Sequence, residues 1–456
     1  MASSSPHDRA GVRWDRRGLL KVGMLGSLGL TLPQLLNLEQ QARAASDTPR
    51  QDSAVIILWM RGGPSQIDTW DPKPQAAAEY RGEFKAIPTP VPGIQLSEHM
   101  PKMASIMSKW SILRSVHQRP EDGNGDHSSG DQVCFTGYGP GPDTNVNVHP
   151  SIGSIAKRQL QHRAPQMPAY VMIPNNVPGT EAAYLGAAWE PFCTQSDPTD
   201  KGFAVPNLGL NPGLSMDRME SRLALMQRLD RMKQTADMRA MDDFHRQALG
   251  LVTGDTARRA FDIDSEPREV RERYGMFADY TPRLRAAGDV KNFGQRMLLA
   301  RRMIEAGVRL VTVDCRWWDT HDDNFHALKT AFLPRFDTAY TALIEDLSQR
   351  GLLDRTMVVA WGEMGRSPRI SATAGRDHWP GVRSVAIAGG GVHGGRVIGS
   401  SDRNGAVPHE RPILVQDVLA TMYRHLGVNT RMSYIDLAGR PIPVLPCGEP
   451  INELFA

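Results

Sequence analysis

The stretch Met357–Ile370, MVVAWGEMGRSPRI, decides how the chain is read. Val358, Val359, Ala360 and Trp361 make a short apolar run that stops at Gly362, the pattern of a strand buried on both faces. The run delivers an acid, Glu363, and GRDHWPG follows with Asp377 and His378. A buried strand that ends in a carboxylate belongs to a sheet that gathers ligands at the carboxyl edges of its strands.

Neighbouring segments extend the pattern. SAVIILWMRGG (53–63), SILRSV, AYVMIP (169–174), VRLVTVD (308–314) and SVAIAGG (384–390) read as strands. Helical spacing marks 96–110, 215–249, 290–307, about 325–350 and 413–427. Strands alternating with helices predict an α/β fold: a mostly parallel central sheet, helices on both faces and a helical insertion at about 213–307. The polar, Gly-rich EDGNGDHSSGD (121–131) reads as loop, and the Pro/Gly/Asn-rich 175–212 as a surface excursion. GGGVHGG (389–395) lacks the Lys-Ser/Thr ending of a phosphate loop and reads as a turn, with His393 structural.

The residues just past each apolar run are the candidates for chemistry. They are Arg61, Asp68 and Asp71; Asp314, Asp319, His321, Asp322, Asp323 and His326; Glu363, Asp377 and His378. The Gly-rich stretch adds Asp126, His127, Ser128, Ser129 and Asp131. Mixed Asp/Glu/His shells suit zinc, manganese or a similar ion, whereas all-oxygen shells suit calcium or magnesium. Each residue also has an ordinary structural role open to it. An Asp before Asn324 can cap a helix, Glu363 can pair with Arg366, and Asp377 can hold His378 or bind metal itself.

Four cysteines lie far apart without a CxxC, which excludes a zinc ribbon and argues against a disulfide framework. At the N-terminus, Arg16-Arg17 precedes a Gly-rich apolar segment and ARAAS, a charged region, apolar region and A-x-A site in order. We read residues 1–44 as a twin-arginine export signal, with the Tat machinery as partner, and the rest, 45–456, as one domain in the periplasm or outside the cell. Residues 1–44 hold six Lys/Arg and three Asp/Glu, so the remainder carries 47 of each. Without a basic surplus, nucleic-acid binding has no support, and no later segment has the length and apolarity of a membrane span.

WMRGGPSQIDTWDPKP, DHSSGDQVCFTG, WWDTHDDNF, WGEMGRSPRI, GRDHWP and GGGVHGGRVIGSSD, spread from Trp59 to Asp402, resemble a secreted bacterial family catalogued as domain of unknown function 1501. More broadly the chain is similar to the alkaline phosphatase and sulfatase superfamily. That resemblance implies one or two divalent ions (zinc, manganese or calcium), with Asp319, His321 and His378 around one and Asp68 and Glu363 at a second. Asp377 and Asp314 would be outer-sphere residues or alternative ligands. His127, Ser128 or a metal-activated water would be the nucleophile, with Arg61, Arg366 or Arg376 stabilising the oxyanion. The chain departs from the superfamily at Glu363-Met364, where Asp-His is usual, and at Arg61-Gly62-Gly63, where an acid is usual. Where sulfatases carry a modifiable Cys in C-x-P-x-R, position 127 is His and no such motif occurs, so a formylglycine mechanism has no residue to run on. The implied function is an exported metal-dependent hydrolase of phosphate or sulfate esters on a small molecule or polysaccharide. The alternative is a non-catalytic binding or assembly protein of the envelope.

Overall fold

A computed structural model describes residues 52–123, 125–206, 208, 221, 254–277 and 292–456. The expected export signal and, apart from residue 221, the long amphipathic stretch at 215–249 lie outside the described residues.

Among the described residues nine strands make one sheet. In chain order they are β1 (Ala54–Trp59), β2 (Trp110–His117), β3 (Tyr170–Ile173), β4 (Phe192–Cys193) and β5 (Leu310–Asp314). Then come β6 (Thr356–Trp361), β7 (Arg383–Ala388), β8 (Val397–Ile398) and β9 (Ile413–Leu414). The spatial order is β8-β2-β7-β6-β1-β5-β3-β4, with β9 also on β2. Only β7 runs antiparallel to its neighbours.

Five helices cover the sheet: α1 (His127–Thr136), α2 (Ile152–Leu160), α3 (Phe293–Glu305), α4 (Leu333–Gln349) and α5 (Val415–Leu426). Side chains alternate across a strand, so β1 feeds two cores. Ala54, Ile56 and Leu58 join Met297 and Leu298 of α3 and Phe336 and Tyr340 of α4. Val55, Ile57 and Trp59 join Val133 and Phe135 of α1, Ile155 of α2 and Leu419 of α5. Both faces of β1 are therefore apolar, which is why AVILW-type residues run through it without alternation.

The structure corrects some local expectations. The second half of the stretch expected as loop is helix α1. Asp126 caps it, its carboxylate accepting from Ser129 N at 2.9 Å, and that one cap outweighs the local Gly and Ser content. Gly130 within α1 lets it press on the turn after β6, since a Cβ there would stand 3.0 Å from the Cβ of Glu363. The helix expected over 96–110 is confined to Pro101–Ser105, followed by a 3-10 turn. All four cysteines are free. No described helix is long and apolar enough to cross a membrane.

Candidate metal centre

Three parallel strands end level with one another. Trp59 pairs with Asp314 across β1–β5 and with Trp361 across β1–β6. Past that line, β1 continues into Arg61, Gly62 and Gly63, β5 into the 315–323 loop, and β6 into Gly362 and Glu363. Gly62 has φ +104°, and a Cβ there would meet Trp318 N at 2.3 Å. That close passage brings Gly62 N within 2.7 Å of Glu363 Oε1, to which it donates. After Glu363 the chain forms a two-residue antiparallel ladder, Gly365–Arg366 with His378–Trp379, which returns His378 to the strand ends.

Three imidazoles converge there on Asp319. His127, the first residue of α1, has Nδ1 2.5 Å from Glu363 Oε1 and Nε2 3.4 Å from Asp319 Oδ2. His378 has Nδ1 2.9 Å from the carbonyl of Gly125 and Nε2 3.3 Å from Asp319 Oδ1. His321 has Nδ1 2.9 Å from Asp377 Oδ1 and Nε2 3.0 Å from Asp319 Oδ1. Each Nδ1 faces an acceptor, so in the neutral ring it carries the proton and Nε2 presents its lone pair. The Nε2 atoms of His127 and His378 are buried and lack a hydrogen-bond partner, their contacts to Asp319 being ion-pair distances only. Ligand-type atoms of His127, Asp319 and His378 all lie within 4.8 Å of one another.

Buried lone pairs without partners are costly, and a cation beside the Asp319 carboxylate would satisfy both of these. Two nitrogens and an oxygen with anchored tautomers fit zinc or manganese better than calcium. Burial opposes charge on His127, but the neighbouring Asp319 carboxylate and the Glu363 carboxylate bonded to Nδ1 prevail and lift its pKa to about 9. Burial would likewise raise the Asp319 carboxyl. The close imidazoles of His127 and His378, with the Arg366 charge, push it far below the usual range instead.

The predicted residues divide clearly. Asp319, His321 and His378 are brought together as expected. His127 joins them through Nε2, in a ligand-like rather than a nucleophile's position. Glu363, expected as a ligand, spends Oε1 on His127 and Gly62 and so orients His127, while its Oε2 is buried without a hydrogen-bond partner; it does not pair with Arg366, which binds Asp319 instead. Asp377, expected to hold His378 or bind metal itself, anchors His321 in the same way, and the Gly125 carbonyl takes its expected place behind His378.

Three expectations are corrected. Asp68 is consumed by the buried Arg376, with Nε at 2.7 Å and Nη2 at 3.1 Å, and by Asn324 Nδ2 at 2.9 Å. Asp314 pairs with Arg316, Nε to Oδ2 at 2.5 Å, and its carboxylate makes no hydrogen bond or ion pair with Asp319 or the three imidazoles. The Ser128 hydroxyl donates to Asn145 Oδ1 at 3.1 Å, away from the imidazoles. Asp323 holds the position before the short helix at Asn324, but its side chain makes no capping bond.

Arg61 flanks the centre. Its Nε donates to Asp131 Oδ2 at 2.6 Å, and its guanidinium lies 4.4 Å over the Trp317 ring, which stands 5.0 Å from the ring of His127. Nη1 and Nη2 make no hydrogen bond to a described residue. Burial and the Glu363 charge raise the Asp131 carboxyl against the pull of Arg61. Its two oxygens nevertheless each accept a bond, the other from Trp59 Nε1 at 3.0 Å, as an ionised carboxylate does. The sequence reading missed Trp317, the Gly125 carbonyl, the Gly62 N–H and the pairing of Asp131 with Arg61. Asp131 lies four residues after His127, on the same helix face, and a helical reading of 127–136 would have found it.

A family model described as "Protein of unknown function (DUF1501)" matches residues 52–455. No curated protein matches by sequence. Among solved structures, the PsFucS1 sulfatase from Pseudoalteromonas sp. is 12% identical, with 86% of this chain and 72% of that one covered at a TM-score of 0.36. The phosphonate monoester hydrolase SpPMH from Silicibacter pomeroyi is also 12% identical, covering 88% and 76% at 0.32. An alkaline phosphatase superfamily protein from Vibrio parahaemolyticus is 10% identical, covering 84% and 69% at 0.35. Likeness at this level carries nothing about activity, which rests on the site itself.

Proposed function

The chain belongs to the DUF1501 family, and from its strand-end centre we propose that it is a metal-dependent hydrolase of phosphate or sulfate esters. The carrying observation is the pair of buried, unpartnered Nε2 atoms of His127 and His378 on either oxygen of Asp319. These three residues would hold a divalent ion, with His321 beside them. When bound, such an ion supplies Lewis acidity toward an ester oxygen and lowers the pKa of water.

The protein's own residues supply the rest. Arg61, steadied by Asp131 and stacked on Trp317, offers its free Nη1 and Nη2 to a tetrahedral oxyanion. Glu363 fixes the tautomer of His127. His321 is the most exposed of the three imidazoles, its side chain 35% accessible, and in its protonated form, with Asp377 behind it, would pass the Nε2 proton to the leaving oxygen. With Ser128 turned to Asn145, the nucleophile in this reading is water, and no formylglycine is involved. In this reading the expected twin-arginine leader would carry the protein out of the cytoplasm, and the reaction would take place there.

Aryl phosphate, aryl sulfate, phosphodiester and phosphonate esters, assayed with zinc or manganese, test the proposal. Turnover abolished by chelation supports it; no turnover on any of them sinks it. Asp131→Asn should lower kcat about 10²-fold, because Arg61 loses its fixed orientation toward developing charge. An unchanged kcat would remove Arg61 from that role. A second reading, a non-catalytic binding or assembly protein of the envelope, draws on Asp68 being taken by the buried Arg376 and Asn324. It expects metal binding without turnover.

A further inference from the structure

Two tryptophans follow β5, and the fold uses them differently. Trp318 is buried against Phe332 and Phe336, with ring centroids 4.9 and 5.7 Å away, and its Nε1 donates to the Cys315 carbonyl at 2.7 Å. Trp317 joins neither core. It is half-buried, and its Nε1 makes no hydrogen bond to a described residue. An indole held partly in water gives up some of the burial that makes Trp stabilising.

What Trp317 touches instead is the metal centre. Its ring stands 5.0 Å from that of His127, and the guanidinium of Arg61 lies 4.4 Å over it. The Arg316 guanidinium lies 5.9 Å from the same ring; its Nε is bonded to Asp314, and its Nη1 and Nη2 make no hydrogen bond to a described residue. The loop is pinned in this position, since Trp318 N donates to the Arg61 carbonyl at 2.8 Å. Solvent reaches both the imidazoles and the Trp317 loop: the side chains of His127, His378 and Arg316 are 17%, 29% and 31% accessible. An oxyanion lying between the imidazoles and the free Nη atoms of Arg61 would therefore have its carbon skeleton next to the indole. A pre-positioned aromatic surface, flanked by donors that lack acceptors, suits a ring that carries oxygen substituents.

We propose that Trp317 is the platform for the ring that bears the oxyanion, so that the preferred ester is carried on an aryl or sugar ring rather than on an open chain. This rests on the hydrolase reading, and the test separates the two.

Calorimetric binding of methylphosphonate, phenylphosphonate and cyclohexylphosphonate, and of their sulfonate counterparts, to the zinc-loaded wild type, Trp317→Phe and Trp317→Leu provides that test, alongside turnover of an aryl phosphate and an aryl sulfate. None of the six ligands is an ester, so each reads binding alone. In at least one series a ring ligand should bind the wild type about tenfold more tightly than its methyl counterpart. Trp317→Leu should bring that ratio close to one, whatever it does to the methyl ligand through Arg61, while Trp317→Phe should keep part of it. A larger gain for phenyl identifies an aryl ring, and a larger gain for cyclohexyl a saturated ring such as a sugar. No ring advantage in the wild type overturns the platform even if the aryl esters are turned over. So does an advantage that survives Trp317→Leu, because Trp317 would then act only by steadying Arg61. An advantage lost in Trp317→Leu without ester turnover keeps the ring platform and removes the hydrolase.

Discussion

Glu363→Gln should lower metal affinity about 10–100-fold, because the Glu363 carboxylate orients His127. Its Oε1 accepts from both His127 Nδ1 and Gly62 N, at 2.5 and 2.7 Å. A neutral amide keeps the shape but holds the His127 tautomer less firmly and weakens its basicity. Asp319→Ala and His378→Ala remove donor atoms and should leave the protein almost free of metal. Inductively coupled plasma mass spectrometry after reconstitution with zinc or manganese reads this directly, with about one equivalent expected in the wild type for a single three-donor centre. Wild-type metal content in both alanine variants would sink the site.

The same prediction has a pH arm. The protein alone holds the His127 pKa up to about 9, and a ligating imidazole must be neutral. Below that value binding displaces a proton, so affinity should rise about tenfold per pH unit and level off above it. A flat profile between pH 6 and pH 8 would mean that His127 is not a ligand.

The largest stability effect is expected at a residue first read as a metal ligand. Asp68→Ala should cost about 3–5 kcal/mol, the range for stripping one partner from a buried ion pair. Asp68 and Arg376 have fully buried side chains, so the guanidinium would lose its counter-charge out of reach of bulk solvent. Asn324 Nδ2 loses its acceptor in the same step. Urea unfolding monitored by circular dichroism gives the number, and a loss under about 1 kcal/mol would place Asp68 outside the core pair. Asp68→Asn, where it folds, should keep the wild-type metal content. A fall in metal there would restore the ligand role.

The apolar runs, their spacing and the glycines that stop them were enough to determine the strands and the α/β class, because burial on both faces leaves a local mark that no neighbour can erase. The strand-end positions of Asp319, Glu363 and His378 followed from the same runs. What each acid does there was decided only by packing. Asp68, Glu363 and Asp319 are alike in sequence, yet one meets Arg376 308 residues away, one meets His127 236 residues away, and the third faces three imidazoles. A carboxylate serves whichever cation or donor the fold brings first. That competition is settled by contacts between distant segments, and no local pattern carries it. The helical start at His127 escaped for a related reason: one capping bond from Asp126 and the press of α1 on Glu363 overrode a composition that reads as loop.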